Sequence, residues 1–365
     1  MHIPHVAALA LSAIWEYTLH YRAWVTIKHT RVLWDMVEGP MPRGILGLGS
    51  GDIHLVNDAW VLFLGGYSTS FRNRLYCATA PASADPATAD WEITVDRRGR
   101  ASPLLADPPR HHWDGGGVHT PSYLPGTEDR HPRIYYAGRS GRRHVGASSR
   151  YAIGVLEHHD GRWNRRDEPL VQGDGTRPSA LEPLVVHDGD RYVMWYVATP
   201  HEVGRGEQPD YELRTTTSDD GLTGWTPPRV WASAEEGFFD NAIVRTTRGW
   251  TMVLARGTNL HATNPFPPQG LWVSTANTPD PDRSAWSPPT KVLDTDAADT
   301  PSWMGRGVCD PAIAESPDGS LSIFVTGTRR YRSRVGLVAA RLRHRKRPPV
   351  PAPFYLSTAV LKLDQ

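Results

Sequence analysis

The sequence predicts an all-β protein, a five-bladed β-propeller with a short N-terminal helical extension. Three observations carry this. An acidic residue recurs beside a short apolar strand at steps of about 60 to 70 residues, the scale of a repeat architecture. Each occurrence is followed by two further strand-like runs rich in aromatic and β-branched residues, and four units then end in a tryptophan. Fourteen Trp, 13 Tyr, 33 Gly and 32 Pro favour short strands joined by many turns.

The recurring acids are Asp52 in GDIHLV, Asp114 in DGGGVHTPSYL, Glu182 in SALEPLVV, Asp240 in FFDNAIV and Asp310 in GVCDPAIA. Second strands follow at 59–66, 133–138, 191–198, 249–255 and 320–327, several after turn signals such as Asn57-Asp58 and Pro317-Asp318-Gly319. Third strands are expected at 74–80, 152–158, 212–218, 271–277 and, as VGLVAARL, at 335–342. Trp91, Trp163, Trp225 and Trp286 close the first four units. Four strands per unit, five times over, is a propeller with the acids converging on its channel. No Trp-Asp rhythm of a WD40 array is present.

The propeller is expected over residues 45–345. Residues 1–44 form an N-terminal extension, read as helical from the spacing of Val6, Leu9, Ile14 and neighbouring apolar residues. Residues 346–365 form a C-terminal segment. Its FYLSTAVLKL stretch, or alternatively residues 30–50, supplies a ring-closing strand that removes exposed sheet edges.

Composition narrows the function. With 40 Lys+Arg against 39 Asp+Glu, the chain is too balanced for a general nucleic-acid or acidic-membrane binder, and neither nucleic acid nor membrane is expected as a partner. The 39% hydrophobic fraction supports a substantial core. No apolar run reaches the roughly 20 residues of a membrane span, and no export signal is evident, so the expected location is cytoplasmic. Two cysteines, Cys77 and Cys309, exclude a disulfide framework and are expected to be free. The glycines at 47, 49 and 51 enter a strand, unlike a phosphate cradle, which leads into a helix. The basic run Arg341 to Arg347 reads as a solvated strand end.

Carboxylates on one concave surface repel unless water, a cation or hydrogen-bond donors separate them. No cofactor motif is present. A central structural cation or water would suffice to balance the acids. Further candidates for binding a small molecule are His54 and His119, Asp240 and Asp310 themselves, Asn241, Arg256, and the ring faces of Trp113 and Trp303. His54 shares a strand face with Asp52 by period-two alternation.

The acid-led inner strand, the Tyr- or Trp-rich second strand and the DDGLTGW and HDGRW endings give a resemblance over residues 45–345. The chain resembles the five-bladed propeller glycosidases: the arabinanase/β-xylosidase and invertase/levansucrase groups and the mannoside-phosphorylase relatives. The resemblance implies a glycoside hydrolase-like enzyme acting on a small glycoside or oligosaccharide. By residue type it implies Asp52 as base or nucleophile, Asp114 as the acid that orients or tunes, and Glu182 as the proton donor. The Asn-Asp-Pro-Asn-Gly and Arg-Asp-Pro signatures of the invertase group are missing. Two alternatives therefore stand beside the hydrolase. One is a non-hydrolytic biosynthetic enzyme that reuses the propeller for a small molecule, and the other is a non-catalytic sugar-binding propeller.

Overall fold

The computed structural model describes residues 26–141, 149–200, 210–256, 267–352 and 354–364. The helix expected around Val6 to Leu19 lies outside them. Five antiparallel units succeed one another along the chain. The innermost strands are β2 (Ile45–Val56), β6 (Gly117–Leu124), β11 (Ser179–His187), β15 (Phe238–Thr246) and β19 (Val308–Glu315). Next come β3 (Ala59–Ser68), β7 (Arg133–Arg139), β12 (Tyr192–Thr199), β16 (Gly249–Arg256) and β20 (Leu321–Thr328). The third strands are β4 (Asn73–Pro81), β8 (Tyr151–His159), β13 (Glu212–Ser218), β17 (Gly270–Ala276) and β21 (Leu356–Asp364). Short outer strands complete the first four blades: β5 (Glu92–Ile93), β9 (Arg162–Arg165) with β10 (Val171–Gln172), β14 (Arg229–Ala232) and β18 (Thr290–Asp294). One parallel pairing, Asn73 with Gly117, joins the first two blades into one sheet.

Blade five differs from expectation in two ways. VGLVAARL is not its third strand but part of helix α1 (Arg334–Arg343), capped by the Ser333 hydroxyl, which accepts from the Gly336 N–H. Alanine, leucine and arginine favour that helix, and a short apolar run does not by itself distinguish helix from strand. The third strand is β21, and the fourth is β1 (Thr26–Asp35), which pairs with it from Thr26↔Asp364 to Asp35↔Ser357. Both candidate closing segments thus enter one blade, and the propeller runs from 26 to 364, beyond the expected 45–345. N-terminal and C-terminal strands side by side lock the ring and leave no open seam.

The alternation of side chains explains why every blade is apolar on both faces. Along β12, Val193, Trp195 and Val197 pack towards blade four, while Tyr192, Met194, Tyr196 and Ala198 pack towards blade two. Five hydrophobic clusters result among the described residues, one at each interface between neighbouring blades. Burying such faces is worth about 25 cal/mol per Å² of apolar surface, so the interfaces hold the ring together. No helix among the described residues is long and apolar enough to cross a membrane.

Hydrogen bonds near the axis tie the inner strands sideways. The Tyr123 N–H donates to Asp52 Oδ2 at 2.7 Å, and the Val185 N–H to Ser122 Oγ at 3.0 Å. The Asp310 N–H donates to Asp240 Oδ2 at 2.8 Å, and the Ser50 N–H to Thr326 Oγ1 at 2.9 Å.

Candidate active site

Each inner strand slips register against its neighbour near its start, and the slip aims side chains at the axis. In three blades the slip contains a residue with positive φ followed by proline: Thr120-Pro121 (φ 47°), Glu182-Pro183 (52°) and Asp310-Pro311 (48°). This backbone is costly for non-glycine residues, of order 1 to 3 kcal/mol each, and such strain concentrates at functional sites. In blade one the slip holds Ser50-Gly51, and in blade four it ends at Asp240.

The repeat of acids is therefore not a repeat of one structural position. Glu182 and Asp310 are equivalent, with Asp240 close to that ring. Asp52 stands two residues further along its strand, and its equivalent position is held by Ser50. Asp114 precedes β6 altogether, and Thr120 takes the ring position of blade two.

Glu182, Asp240 and Asp310 come together at one end of the channel. Burial pushes the Glu182 carboxyl well above the ordinary carboxylate range, and the charges of Asp240 and Asp310 add to the shift. The Thr120 hydroxyl donates to Glu182 and works the other way. His119 Nδ1 lies 3.7 Å from Glu182 Oε1, with its ring edge-on to Tyr151. Asp240, buried, is raised well above its usual range by burial and then by Asp310. Asp310 is raised by burial too, but hydrogen bonds from Thr326, Asp240 and Cys309 favour its ionised form. Gly49 makes room for it: a Cβ there would meet Asp310 Oδ2 at 3.0 Å and Thr326 Oγ1 at 3.1 Å.

Three more groups complete the wall. Cys309 stays a thiol because burial, then Asp310, Asp240 and Glu182, push its pKa well up. Ligand atoms of Asp240, Cys309 and Asp310 lie within 4.8 Å of one another, a spacing that shared protons or a small cation can balance. The Tyr211 hydroxyl is held neutral by burial and by Asp240, as is that of Tyr151 by burial and by Glu182. Neither tyrosine stood out in the sequence, and nor did Thr120. The proline shared by HTP, LEP and CDP was the available signal for Thr120.

Asp52 lies on inner strand β2, with Oδ1 accepting from the Ile53 N–H, Oδ2 accepting from Tyr123, and His54 Nε2 at 3.0 Å. His54 lines a cavity of about 430 Å³ at the opposite channel mouth, together with His187, Arg245 and Glu315. Asp114 is off the axis. It is fully buried against blade two, paired with Arg165 at 2.8 Å, contacting His112 and accepting from the Tyr136 hydroxyl at 3.0 Å. The expectation that all five acids line one channel thus fails at Asp114.

Trp113 stacks on Tyr136 inside blade two, where Gly138 and Gly154 leave space for its ring. Trp303 packs on Gly327 within the interface of blades four and five. Trp303 is a core residue, and Trp113 is half-buried against the core between blades one and two. Asn241 is buried beside Asp240, and neither side-chain polar atom has a hydrogen-bond partner among the described residues. Arg256 ends β16, its guanidinium 4.7 Å from the Trp272 ring centre and 5.5 Å from that of Phe238. Cys77 and Cys309 are both free.

Solved structures similar to this one cover nearly the whole chain. An α-L-arabinofuranosidase from Lactobacillus brevis aligns over 92% of each chain, with a TM-score of 0.56 and 10% identity. A glycosyl hydrolase from Bacteroides ovatus aligns over 93% of this chain and 94% of its own, with a TM-score of 0.54 and 13% identity. The catalytic domain of a Coprinopsis cinerea GH62 α-L-arabinofuranosidase covers 93% and 96%, with a TM-score of 0.52 and 10% identity. The chain has the fold of the propeller glycosidases. No family model and no curated protein matches its sequence. At this identity the likeness is one of fold alone.

Proposed function

We propose that the protein is a glycosidase-like enzyme acting on a small glycoside or oligosaccharide, with Glu182 as proton donor and Asp310 as the ionised carboxylate. What supports this reading is the grouping of buried Glu182 and Asp240 with half-buried Asp310 on adjoining inner strands at one end of the channel. Cleaving a glycosidic bond needs a carboxylic acid that protonates the leaving oxygen and a carboxylate that activates water or attacks the sugar. Both must differ in protonation at the same pH, and neighbouring charges arrange this. Asp310 collects three donors and ionises first. Its charge, with burial, keeps the Glu182 proton in place towards neutrality. Asp240 serves as the protonated partner that donates to Asp310. In this reading Tyr151, Tyr211 and His119, which neighbour the acids, contact sugar hydroxyls.

Ser50 and Thr120 favour a second reading. They occupy, in blades one and two, the ring position that carries Glu182 and Asp310 elsewhere, so the resemblance to glycosidases that use a first-blade Asp is incomplete. A non-hydrolytic enzyme or a sugar-binding propeller would need fewer acids. Incubation with a panel of nitrophenyl glycosides and short oligosaccharides separates the readings. Release of nitrophenol or sugar by the parent protein, lost in Glu182→Gln, supports the hydrolase. Saturable sugar binding by calorimetry with no bond cleavage supports the binding protein.

A further inference from the structure

The segment between β20 and β21 holds nine of the chain's 40 basic residues and none of its 39 acidic ones, within 329–347. It leaves the sheet after Thr328, beside the register pair Cys309↔Thr326, and so emerges at the channel end that carries Asp310. Its middle is α1, none of whose residues is buried. Val335 and Leu342 are 80% and 57% exposed. With Val338 and Ala339 they recur at i, i+3, i+4 and i+7, one continuous apolar stripe. Arg334 and Arg341 flank the stripe on one side and Arg343 on the other.

The segment is anchored where it leaves the sheet, by buried Arg329 paired with Asp35, and by a few contacts further along. Arg341 and Lys346 pair with Glu38 at 2.6 and 3.5 Å, and the Arg330 Nε donates to the Gly305 carbonyl at 2.7 Å. Arg332, Arg343, Arg345 and Arg347 are exposed and carry no ion pair among the described residues. A stripe whose ends, Val335 and Leu342, stand in water, with exposed Arg343 beside it and Arg345 and Arg347 following, contributes little to holding the propeller together.

From this we infer that α1 and its basic flanks form a docking surface for an anionic lipid bilayer. The stripe enters the boundary between headgroups and acyl chains, and the arginines reach outward to lipid phosphates. A nucleic acid would draw on the same charges but has no use for exposed valine and leucine, since its backbone is read by cations and polar donors. The near-zero net charge of the whole chain conceals this patch, because the charge is segregated rather than sparse. A bilayer seated on α1 lies at the same end of the propeller as Glu182 and Asp310.

Co-sedimentation of the full chain with vesicles tests the inference. Phosphatidylcholine vesicles containing phosphatidylglycerol should bind the protein, and pure phosphatidylcholine vesicles should bind at least about tenfold less. Arg343→Ala, Arg345→Ala and Arg347→Ala combined should weaken anionic-vesicle binding by roughly 10- to 100-fold, because each basic residue near the surface contributes about a fivefold factor. Val335→Ser with Leu342→Ser should also weaken it, and both sites are exposed, so unchanged melting and circular dichroism should accompany the loss. Equal binding to both vesicle types, or binding to neither, overturns the inference. So does full vesicle binding by the serine variant, which would mark the patch as a general polyanion site, with duplex DNA binding as its positive sign.

Discussion

Asp310 donates its backbone N–H to the carboxylate of Asp240 at 2.8 Å, across the seam between blades four and five. One hydrogen bond therefore both closes the ring near its axis and holds two carboxyls against each other in a place where neither is well solvated. Glu182 completes the group from blade three. The cluster costs stability, and it is the part of the channel where the backbone is also strained.

That cost gives a prediction with a definite sign. Burial and Asp310 raise the Asp240 pKa in the folded state, so the folded protein keeps a proton that the unfolded chain has released. Stability is fully present at acid pH and is lost as pH rises above the ordinary carboxylate range towards the folded pKa. Asp240→Asn keeps an acceptor for the Asp310 N–H and removes the titration. Its melting temperature should exceed that of the parent at pH 8 by roughly 2 °C or more, with the gap narrowing towards pH 4. Scanning calorimetry at the two pH values checks this, and a lower melting temperature at pH 8 would refute it.

Asp114 should behave as a structural acid. It is fully buried with Arg165 and Tyr136 as partners, and removing one side of such a pair costs about 3 to 5 kcal/mol. Asp114→Ala should lower the urea midpoint accordingly, while the turnover of the folded fraction stays within a few-fold of the parent. Loss of turnover at undiminished stability would instead place Asp114 in the chemistry.

Cys309 should be inert in the native state. Burial and three neighbouring acids keep it protonated at neutral pH, and the thiolate is the reactive form. Ellman titration should find two thiols in denaturant, with Cys309 reacting slowly in native buffer and faster in Asp310→Asn. A native Cys309 that reacts as fast as a free thiol would contradict the electrostatic account.

The architecture was legible because a blade has a strong period: an inner strand, a β-branched second strand such as RYVMWYVA and a turn. Two apolar faces per blade make that signal loud. Blade five departs from that period, since α1 displaces the third strand and β1 arrives from the other end of the chain. Pairing between chain termini leaves no local mark. The three acids that the structure brings together, Glu182, Asp240 and Asp310, are legible in the sequence and sit at or near the register slip. Asp114 falls outside the group because an acidic residue is not what the blades share; three of them share the strained residue before proline, which is Thr120 in blade two. Asp52 stands on the expected strand, but two residues past the slip its carboxylate is taken up by the N–H groups of Ile53 and Tyr123.

The most direct measurement is the leaving-group dependence of Glu182→Gln and Asp310→Asn on a glycoside that the parent cleaves. Glutamine keeps the shape of Glu182 without a transferable proton, so turnover of a substrate with a poor leaving group should fall by roughly 10² to 10⁴-fold. A nitrophenyl glycoside needs little protonation and should be largely spared. Asp310→Asn should slow both substrates alike, because it removes the carboxylate that activates water or attacks the sugar. Full turnover by both variants on both substrates would contradict the assignment of the chemistry to the Glu182–Asp240–Asp310 cluster.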